Sequence, residues 1–422
     1  MAKVKPTLVV VGQGYVGLPV SARAVEQGYR VIGLDTDVAR VERLRAGQSY
    51  VDDVTDAQLH EALASGDFVP TTDYGDAKDF DFAVITVPTP LKDSLPDLTF
   101  IERSGASLAS YLTKGATVIL ESTTYPGTTE ELLVPILERG SGLKAGQDFH
   151  VGYSPERIDP GNKTWGFVET PKVVSGVDAA SLDKVRSFYD TLVDTTVPVS
   201  SPKEAELTKL LENTFRHVNI ALVNELAIFA HQLGVNVWES IEAANTKPFG
   251  FMKFTPGPGV GGHCLPVDPS YLSWQVRRQL GQNFRFVELA NDINDHMPQY
   301  VVQRLMAMLN RTGKAVNGST IGLVGLAYKK NSGDIRESPA VKVLDLLIEL
   351  GADVVAFDTH VDSARWPEGV SRRALDEAGV QGLDAAVLVT DHDDFDFDVL
   401  TSAGVPVLDT RARLTGENVE RL

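Results

Sequence analysis

A glycine-rich turn near the N-terminus constrains the fold more than any other feature of this sequence. The letters GQGYVG stand at 12–17, directly after the apolar run 7–11 and directly before a helical pattern, and Asp35 lies 18 residues beyond the last of these glycines. A strand, a GxGxxG turn, a helix and an acidic residue at the end of the next strand together form the dinucleotide-binding fingerprint. The alternative is a glycine turn in another α/β fold.

Each glycine of the turn has a physical role in the dinucleotide interpretation. Gly12 allows the tight turn, Gly14 lets a pyrophosphate approach the backbone, and Gly17 lets the helix pack closely on the strand. The N-terminus of the helix would then face the phosphates. Asp35 would accept hydrogen bonds from the adenosine ribose hydroxyls and would repel a 2′-phosphate, so the sequence favours NAD over NADP.

The pattern of apolar runs predicts two parallel sheets. Short apolar runs separated by helix-length segments are typical of parallel strands that are covered on both faces. Such runs occur at 7–11, 29–35, 82–87 and 116–121, and again at 320–325, 352–358, 385–390 and 405–409. Between the two sets, 202–233 has a helical pattern whose apolar stripe comprises Leu207, Leu210, Leu211, Phe215, Val218, Leu222, Leu226 and Phe229.

These patterns predict an α/β chain of two Rossmann-like doubly wound domains joined by a central helical spine. We expect an NAD-binding Rossmann domain at 1–200, a helical domain at 201–314 and a second Rossmann-like domain at 315–422. The second Rossmann-like domain keeps Gly322 and Gly325 but lacks the three-glycine pattern. We therefore expect it to bind a ligand with a single nucleoside, or to be structural, and not to bind a second dinucleotide in the same manner.

The charge and the cysteine content limit the classes of molecule that this chain is expected to bind. Among 422 residues, Lys and Arg total 39 while Asp and Glu total 57, and a net charge of −18 disfavours nucleic-acid binding. An anionic small substrate would need a local cluster of cations. No apolar run is long enough to cross a membrane, and no signal peptide is evident. With Cys264 as the sole cysteine, intrachain disulfides are impossible, and we expect a cytoplasmic protein without a metal site.

The sole cysteine lies in an unusual context. It follows the glycine- and proline-rich stretch 254–263, and Asp268 comes four residues later. A lone cysteine is most often a small buried apolar group. The glycine-rich approach and the nearby carboxylate favour a reactive thiol in a loop instead. Beside NAD, a thiolate could capture an aldehyde as a thiohemiacetal and release the further oxidised carbon as an acid through a thioester.

Several motifs together resemble the nucleotide-sugar 6-dehydrogenases of the UDP-glucose/GDP-mannose dehydrogenase family. They are GQGYVG at 12–17, VPTP at 87–90, ESTTYPGTT at 121–129, SPERIDPG at 154–161, AELTKLLENTF at 205–215, GVGGHCLPVDP at 259–269, AYKKNSGDIRESPA at 327–340 and LDTR at 408–411. The stretch before Cys264 looks most like bacterial enzymes that act on UDP-N-acetylhexosamines.

The resemblance implies catalytic roles. Cys264 is the covalent nucleophile, Lys209 and Asn213 stabilise the alkoxide and thiohemiacetal oxygens, and Asp268 positions a water or takes a proton. Glu156 activates the water that hydrolyses the thioester, and Thr123 orients that water or contacts the nicotinamide. For Lys209 and Asn213 the alternative is the solvated face of an amphipathic helix. For Asp268 it is an ordinary solvated loop or capping residue, and for Thr123 and Glu156 a capping group at a strand end.

The resemblance also implies two binding sets. The NAD-binding set is Gly12, Gly14, Tyr15, Val16, Gly17, Asp35, Arg40, Pro88, Thr89 and Thr123. The set for a UDP-sugar is Glu156, Arg157, Lys209, Asn213, Lys247, Phe249, Phe251, Phe254, Gly261, Arg285, Lys329, Lys330, Arg336 and Arg411. Some of its cations would contact the diphosphate.

The function expected from these features is NAD-dependent, four-electron oxidation of C6 of a UDP-sugar to the uronic acid, with UDP-N-acetylhexosamines favoured. One alternative is UDP-glucose 6-dehydrogenase. Another is a two-electron hydroxyacid dehydrogenase of similar domain order, and a third is a binding protein without turnover. The extensive apolar stripe on the long helix also predicts a homodimer or higher assembly, unless both helix faces pack within one subunit.

Overall fold

The structure is a computed structural model that describes residues 5–51, 53–92, 95–158, 164–262 and 264–422, except for the side chains of Leu91, Cys264 and Pro266. The chain forms two compact units, which meet in sequence between Glu212 and Asn213. The helix that crosses this boundary is long and unbroken. The predicted division into three domains stays a prediction.

The first unit is built on a sheet of eight strands. Its strands and a small hairpin are β1 Thr7–Val11, β2 Arg30–Leu34, β3 Phe68–Thr71, β4 Phe82–Ile85, β5 Leu91–Lys92, β6 Leu95–Pro96, β7 Thr117–Leu120, β8 His150–Tyr153, β9 Lys172–Gly176 and β10 Thr196–Pro198. The helices are α1 Gly17–Glu26, α2 Val38–Arg45, α3 Asp56–Ala64, α4 Thr99–Ala109, α5 Val134–Ser141, α6 Ala179–Tyr189 and the start of α7 Pro202–Leu233.

The sheet order is β10-β9-β8-β7-β4-β1-β2-β3, with the hairpin β5-β6 apart from it. Strand β1 shows why the runs are continuously apolar. Leu8 and Val10 belong to the core on one face of the sheet, and Val9 and Val11 belong to the core on the other. A strand buried on both faces has no polar side to alternate with. This confirms the predicted doubly wound domain.

One feature of the sheet was not predicted. Strand β9 runs antiparallel to β8, with Gly152 opposite Gly176, and β10 is parallel to β9. The close pairing depends on glycine, because a Cβ at Gly152 would lie 2.2 Å from the carbonyl oxygen of Ser175. The reversal brings the first residue of β9 to the edge where β7 and β8 end.

The second unit repeats the doubly wound architecture. Its strands are β11 Thr320–Val324, β12 Asp353–Phe357, β13 Ser371–Arg372, β14 Ala385–Leu388, β15 Val407–Asp409 and β16 Val419–Arg421, in the order β13-β12-β11-β14-β15-β16, all parallel. Its helices after α7 are α8 Val237–Asn245, α9 Cys264–Leu280, α10 Arg285–Arg311, α11 Pro339–Glu349 and α12 Asp398–Ser402. Within the described ranges, no helix is long and apolar enough to cross a membrane.

The structure corrects the prediction that the cysteine lies in a loop. Helix α9 begins at Cys264 and continues through Asp268 and Pro269 to Leu280. The glycines and prolines of 254–263 indicated irregular chain, but that chain ends where the helix begins, and the N–H groups of the first helical turn have no intrahelical acceptor. Pro266 therefore costs no hydrogen bond there, and Cys264 and Asp268 lie on successive turns of a helix.

A buried carboxylate anchors the start of α7. Glu206 accepts hydrogen bonds from the backbone N–H of Gly127 at 2.6 Å, from the N–H of Thr129 at 2.9 Å and from the Thr129 hydroxyl at 2.7 Å. These donors belong to the turn that carries the ESTTYPGTT motif into the helical segment ending with α5. Burial raises the pKa of Glu206 to about 7, against the lowering effect of the donors.

We predict that the Glu206 carboxyl makes the unfolding free energy fall as the pH rises from about 5 to about 8. Because its folded pKa of about 7 exceeds the ordinary value of 4.5, the folded chain binds more protons than the unfolded chain in this interval. The contribution is at most about 3 kcal/mol. Denaturant unfolding across this pH range should show a shallower pH dependence for Glu206→Gln.

The exposed carboxylate of Glu204, two residues away on the same helix, supplies the control. Glu204→Gln should keep the fall in unfolding free energy that Glu206 causes. A Glu206→Gln curve parallel to that of the unsubstituted protein would show that Glu206 does not titrate near neutrality.

Candidate active site

The glycine turn has the geometry that a dinucleotide requires. Gly12 has a φ of +94°, and its N–H donates to the carbonyl of Leu34 at 2.8 Å. A Cβ at Gly17 would lie 1.8 Å from the carbonyl oxygen of Gly12, so only glycine lets α1 approach β1 this closely. At Gly14, by contrast, an added Cβ would have nothing within 4 Å. That open backbone is where a pyrophosphate approaches in this fold.

The acidic residue at the end of β2 is held in place. Asp35 is buried, and its Oδ2 accepts from the N–H of Gln13 and from Nη1 of Arg40, both at 2.8 Å. Its Oδ1 accepts from the N–H of Asp37 at 2.9 Å. The carboxylate is thus fixed beside the glycine turn, where a ribose would sit.

The other predicted NAD-binding residues lie at the same edge of the sheet. Tyr15 is exposed and Val16 is the N-cap of α1. Pro88 is exposed and Thr89 buried after β4, and Thr123 is half-buried after β7. Strand order reverses between β1 and β4, and ligands of doubly wound sheets bind at such a switch point. The open backbone at Gly14 and the fixed Asp35 fit NAD.

Two predicted catalytic residues of the first unit are in contact. Nζ of Lys209, on α7, donates to the backbone carbonyl of Glu156 at 2.9 Å. The Glu156 carboxylate accepts from the N–H groups of Arg157 and Ile158, both at 2.7 Å. Burial would raise the pKa of Glu156, but the charges of Lys172 and Lys209 and these two N–H groups outweigh burial and lower it.

Arg157 is tied to the protein itself. Its guanidinium makes a two-pronged ion pair with Glu212, at 2.6 and 3.2 Å, and donates to the carbonyl of Pro171 at 2.6 Å. The remaining part of the SPERIDPG motif, 159–161, lies outside the described residues.

In the second unit, Asn213 and Asp268 are brought together. Nδ2 of Asn213 donates to Oδ2 of Asp268 at 2.6 Å, and Asp268 is buried. Cys264 is the first residue of α9, and its side chain lies outside the described atoms. Residues 264 and 268 share a face of α9, because positions four apart in a helix are neighbours.

The glycines before Cys264 are required by packing. A Cβ at Gly261 would lie 2.7 Å from Cβ of Tyr328 and 2.8 Å from the carbonyl oxygen of Glu337. Gly262 has a φ of +82°, and its N–H donates to the carbonyl of Arg336 at 3.1 Å. The approach to the cysteine is therefore shaped by the segment 327–340.

The predicted substrate cations of the second sheet differ in their surroundings. Lys330 pairs with Asp393 at 2.6 Å, and the exposed Arg336 pairs with Asp334 at 2.6 Å. The guanidinium of Arg411 donates to the carbonyl of Val389 at 2.6 Å, and a Cβ at Gly257 would lie 2.9 Å from its Nη1. Arg411 therefore faces the glycine stretch.

The remaining predicted substrate residues surround α8 and α10. Lys247 lies over the ring of the exposed Phe249 at 4.9 Å, and Phe251 is also exposed. Phe254 packs edge-on against Phe215, with ring centroids 5.9 Å apart. Two residues of the predicted set remain. Lys329 is half-buried, and Arg285, the first residue of α10, is exposed.

In the described part of the chain, one group of side chains consists of residue types that can bind a metal, and these side chains lie close to one another. Ligand atoms of His360, His392 and Asp394 lie within 4.8 Å of one another. They are already paired within the protein. Nε2 of His360 bonds Asp394 at 3.1 Å, while His392 bonds Asp358 at 3.0 Å and accepts from the N–H of Asn331 at 2.9 Å.

Sequence reasoning missed a buried charged cluster and the anchor Glu206. Lys172 contacts Glu121 and lies 3.5 Å from the carboxylate of Glu156, and all three are buried or nearly so. Glu121 is the first residue of the ESTTYPGTT motif, so an acidic residue at the end of an apolar strand could have indicated a buried charge. Nothing in the strand sequence of β9 marks Lys172.

The doubly wound sheet and the glycine turn with its fixed acid define an NAD-dependent oxidoreductase. Three family models match along the chain. They are the NAD-binding domain, the central domain and the UDP-binding domain of the UDP-glucose/GDP-mannose dehydrogenase family, at residues 6–193, 203–296 and 322–415. The chain belongs to this family.

Individual relatives agree over most of the length. The UDP-N-acetyl-D-mannosamine dehydrogenase of Pyrococcus horikoshii is 36% identical over 389 residues, covering 92% of this chain and 90% of its own. The UDP-N-acetyl-D-glucosamine 6-dehydrogenase of Pseudomonas aeruginosa is 38% identical over 392 residues, again covering 92% and 90%. A solved structure of the UDP-D-ManNAc dehydrogenase from Pyrococcus horikoshii matches with a TM-score of 0.89, 33% identity and 98% coverage of each chain.

We predict that two alanine substitutions in the turn separate NAD binding from stability. Gly17→Ala forces the backbone apart at the 1.8 Å approach and should lower both the unfolding free energy, by about 1–3 kcal/mol, and NAD affinity. Gly14→Ala meets nothing within 4 Å and should lower NAD affinity at least about tenfold with an unchanged melting temperature. Calorimetric titration with NAD and thermal unfolding measure the two effects.

Each variant is the control for the other. Equal destabilisation of both, or full NAD affinity in Gly14→Ala, would contradict the placement of the pyrophosphate at this turn.

Proposed function

We propose that the chain catalyses the NAD-dependent, four-electron oxidation of C6 of a UDP-N-acetylhexosamine to the uronic acid. The observation that carries the proposal is the hydrogen bond from Asn213 of α7 to Asp268 of α9, the helix that begins at Cys264. Cys264 and Asp268 lie on adjoining turns of α9, and the amide of Asn213 reaches Asp268 from α7. These residues would supply a nucleophile, a proton acceptor and an oxyanion partner. The class of sugar rests on the two relatives that act on UDP-N-acetyl-D-mannosamine and UDP-N-acetyl-D-glucosamine.

The nucleotide part of the substrate is assigned to the second sheet. Residues 322–415 match a UDP-binding domain, and the half-buried guanidinium of Arg411 faces the glycine stretch before α9. In the first unit, the glycine turn and Asp35 would hold NAD, which when bound accepts a hydride in each of the two oxidations. Each sugar would thus consume two NAD.

The residues of the chain handle protons and oxyanions. Lys209 and Asn213 stabilise the negative oxygen that forms when C6 is oxidised to the aldehyde. The Cys264 sulfur bonds to the aldehyde carbon and gives a thiohemiacetal, and loss of the second hydride from that carbon leaves a thioester. The start of a helix favours the thiolate.

Hydrolysis completes the reaction. Glu156 takes a proton from water, the hydroxide adds to the thioester carbon, and the C–S bond breaks to release the carboxylic acid and the thiol. Because the thiol must stay reduced, we place the enzyme in the cytoplasm.

The stoichiometry of NADH tests this proposal. Purified enzyme should form two NADH per sugar, with a product 14 Da heavier as the free acid than the alcohol substrate (roughly, by loss of two hydrogens and gain of one oxygen). UDP-N-acetyl-D-glucosamine, UDP-N-acetyl-D-mannosamine, UDP-N-acetyl-D-galactosamine and UDP-glucose form the panel. Cys264→Ala should abolish acid formation. It should leave the affinity for NAD, which depends on the turn at Gly14, the same as in the unsubstituted enzyme.

A result of one NADH per substrate with a carbonyl product would instead indicate a two-electron dehydrogenase. Turnover of UDP-glucose alone would overturn the assignment to N-acetylhexosamines. Binding of NAD and UDP-sugar without any NADH would overturn the assignment as an enzyme.

We also propose that the chain forms a homodimer through an exposed apolar face of α7, called here the α7 stripe. Its members are large apolar side chains that are all at least 43% exposed, namely Leu207, Leu211, Phe215, Leu222, Leu226, Phe229 and Leu233. A contiguous exposed stripe of this length on one helix is typical of an interaction surface. A second copy presents the same stripe, so the two surfaces would be complementary in an isologous contact.

We predict that Leu222→Glu combined with Leu226→Glu converts the dimer to a monomer, because each change buries a charge in an apolar contact. Light scattering at micromolar concentration should move from about twice 45.7 kDa to 45.7 kDa. Gln232→Glu, at an exposed polar position of the same helix, should leave the mass of the dimer unchanged. A monomeric unsubstituted chain would contradict the proposal.

A further inference from the structure

A buried lysine lies between two carboxylates at the carboxyl edge of the first sheet. Lys172 is the first residue of β9, and because β9 runs antiparallel to β8, this residue meets the edge where β7 and β8 end. Glu121 follows β7 and Glu156 comes three residues after β8. Nζ of Lys172 contacts Oε1 of Glu121 and lies 3.5 Å from Oε2 of Glu156.

The surroundings of the lysine are almost free of solvent. The side chains of Lys172, Glu121 and Glu156 are 5%, 0% and 10% exposed. The ammonium also lies 5.3 Å from the ring centre of Tyr189 and 5.7 Å from that of Phe167. With both carboxylates ionised, the three groups would carry a net charge of −1 under low dielectric screening, so burial favours protonation of one carboxyl.

The two carboxylates respond differently to that cation. Burial raises the pKa of Glu121 more than the contact with Lys172 lowers it. Burial acts on Glu156 in the same sense, but Lys172, Lys209 and two backbone N–H groups together lower the pKa of Glu156. Glu156 is therefore the carboxylate that stays ionised.

We propose that Lys172 is a positioning residue for thioester hydrolysis: its buried ammonium keeps the Glu156 carboxylate ionised and fixed, ready to accept a proton from the attacking water. The inference rests on the proposed function, which assigns that step to Glu156. Lys172 touches neither the sugar nor the thioester in this role, and it acts through Glu156 alone.

The charged groups around Glu156 define the expected pH effect. Lys172 reaches it from β9, Lys209 from α7, and the carboxylate of Glu121 from the end of β7, with Tyr189 of α6 beside the cluster. Removal of the Lys172 charge leaves Glu156 facing Glu121 with Lys209 as the remaining cation. Protonation of Glu156 then becomes easier, so the acid limb of kcat should move to higher pH.

The first experiment compares the unsubstituted enzyme with Lys172→Met. With UDP-N-acetyl-D-glucosamine or UDP-N-acetyl-D-mannosamine, whichever is turned over, kcat should fall roughly 10- to 100-fold while kcat/KM changes less than about twofold, since hydrolysis follows oxidation. A rapid burst of two NADH per site should persist. Intact-mass spectrometry of acid-quenched samples should show the nucleotide-sugar acyl group accumulating on the protein. Lys203→Met, at an exposed lysine, is the control.

A double variant separates positioning from a structural role. Lys172→Met alone leaves the buried Glu121 without its cation, which can destabilise the fold. Lys172→Met combined with Glu121→Gln removes the cation and its contact partner together, so that the buried site is neutral apart from Glu156. The double variant should recover the melting temperature and still accumulate the acyl-enzyme, and Lys172→Arg should restore hydrolysis at least in part.

Hydrolysis at the unsubstituted rate in the folded double variant would overturn the inference, because Lys172 would then serve only to neutralise Glu121. An unshifted acid limb of kcat in Lys172→Met would also overturn it. If the unsubstituted enzyme forms fewer than two NADH per sugar or no acid, the proposed function itself fails. Failure of the Lys172 inference alone leaves the two-NADH stoichiometry and the acid product of the unsubstituted enzyme intact.

Discussion

The buried polar face of α7 is the constraint on which the described site depends. Each polar side chain on this face bonds to a different segment. Glu206 holds the turn at 127–129, Lys209 the carbonyl of Glu156, Asn213 the carboxylate of Asp268, His217 the side chain of Asn291, and Asn224 both Asn294 and the N–H of Gly257. Within each unit, the helix therefore sets the position of the loops that carry the candidate catalytic residues.

The buried side of α7 combines these polar side chains with apolar ones such as Leu210 and Val223. A buried polar group without a partner costs about 1–3 kcal/mol, so each of the polar side chains requires its own bond and fixes the rotation of α7 about its axis. With that side buried, the α7 stripe lies on the exposed side of the helix. Self-association would cover this apolar surface.

The sequence predicted much of the fold because its signals are local. The turn at 12–17 and the strands that begin both sheets were located to within a residue or two, and α7 was predicted with the bounds it has, 202–233. The same logic failed at α9, since the glycines and prolines before Cys264 indicated a loop, whereas a helix begins at that residue. The comparisons confirm the family, while the roles of the site residues stay proposals.

What could not be predicted depends on contacts between distant segments. Lys172 has the same sequence surroundings as any lysine before an apolar strand, and only the reversal of β9 brings it to Glu121 and Glu156. Glu206 likewise looks like a solvated residue in the first turns of a helix until residues 127–129 pack on it. The periodicity of a single sequence indicates neither the direction of a strand nor which residue pairs with a buried charge.

The two halves of the chain show how one backbone turn can give two different sites. Gly12 and Gly325 make the same bond to the end of the neighbouring strand, both at 2.8 Å. Asp35 and Asp358 then each accept from the next N–H, again at 2.8 Å. The position that corresponds to Gly14 is Ala327, whose N–H donates to Asp358 and whose carbonyl accepts from Thr390.

That single difference removes the open backbone that a pyrophosphate needs. Ala327 is fully buried. Oδ2 of Asp358 also bonds Nε2 of His392, and Oδ1 accepts from the N–H groups of His360 and Val361. In the first unit, Asp35 is held beside an open turn, where it could bind a ribose. In the second unit, the corresponding Asp358 binds the first two N–H groups of the loop 326–331. The same loop carries Lys329, which is half-buried, and Lys330, which pairs with Asp393. We propose that cations of this loop, in place of open backbone, would hold the phosphates of a ligand with one nucleoside.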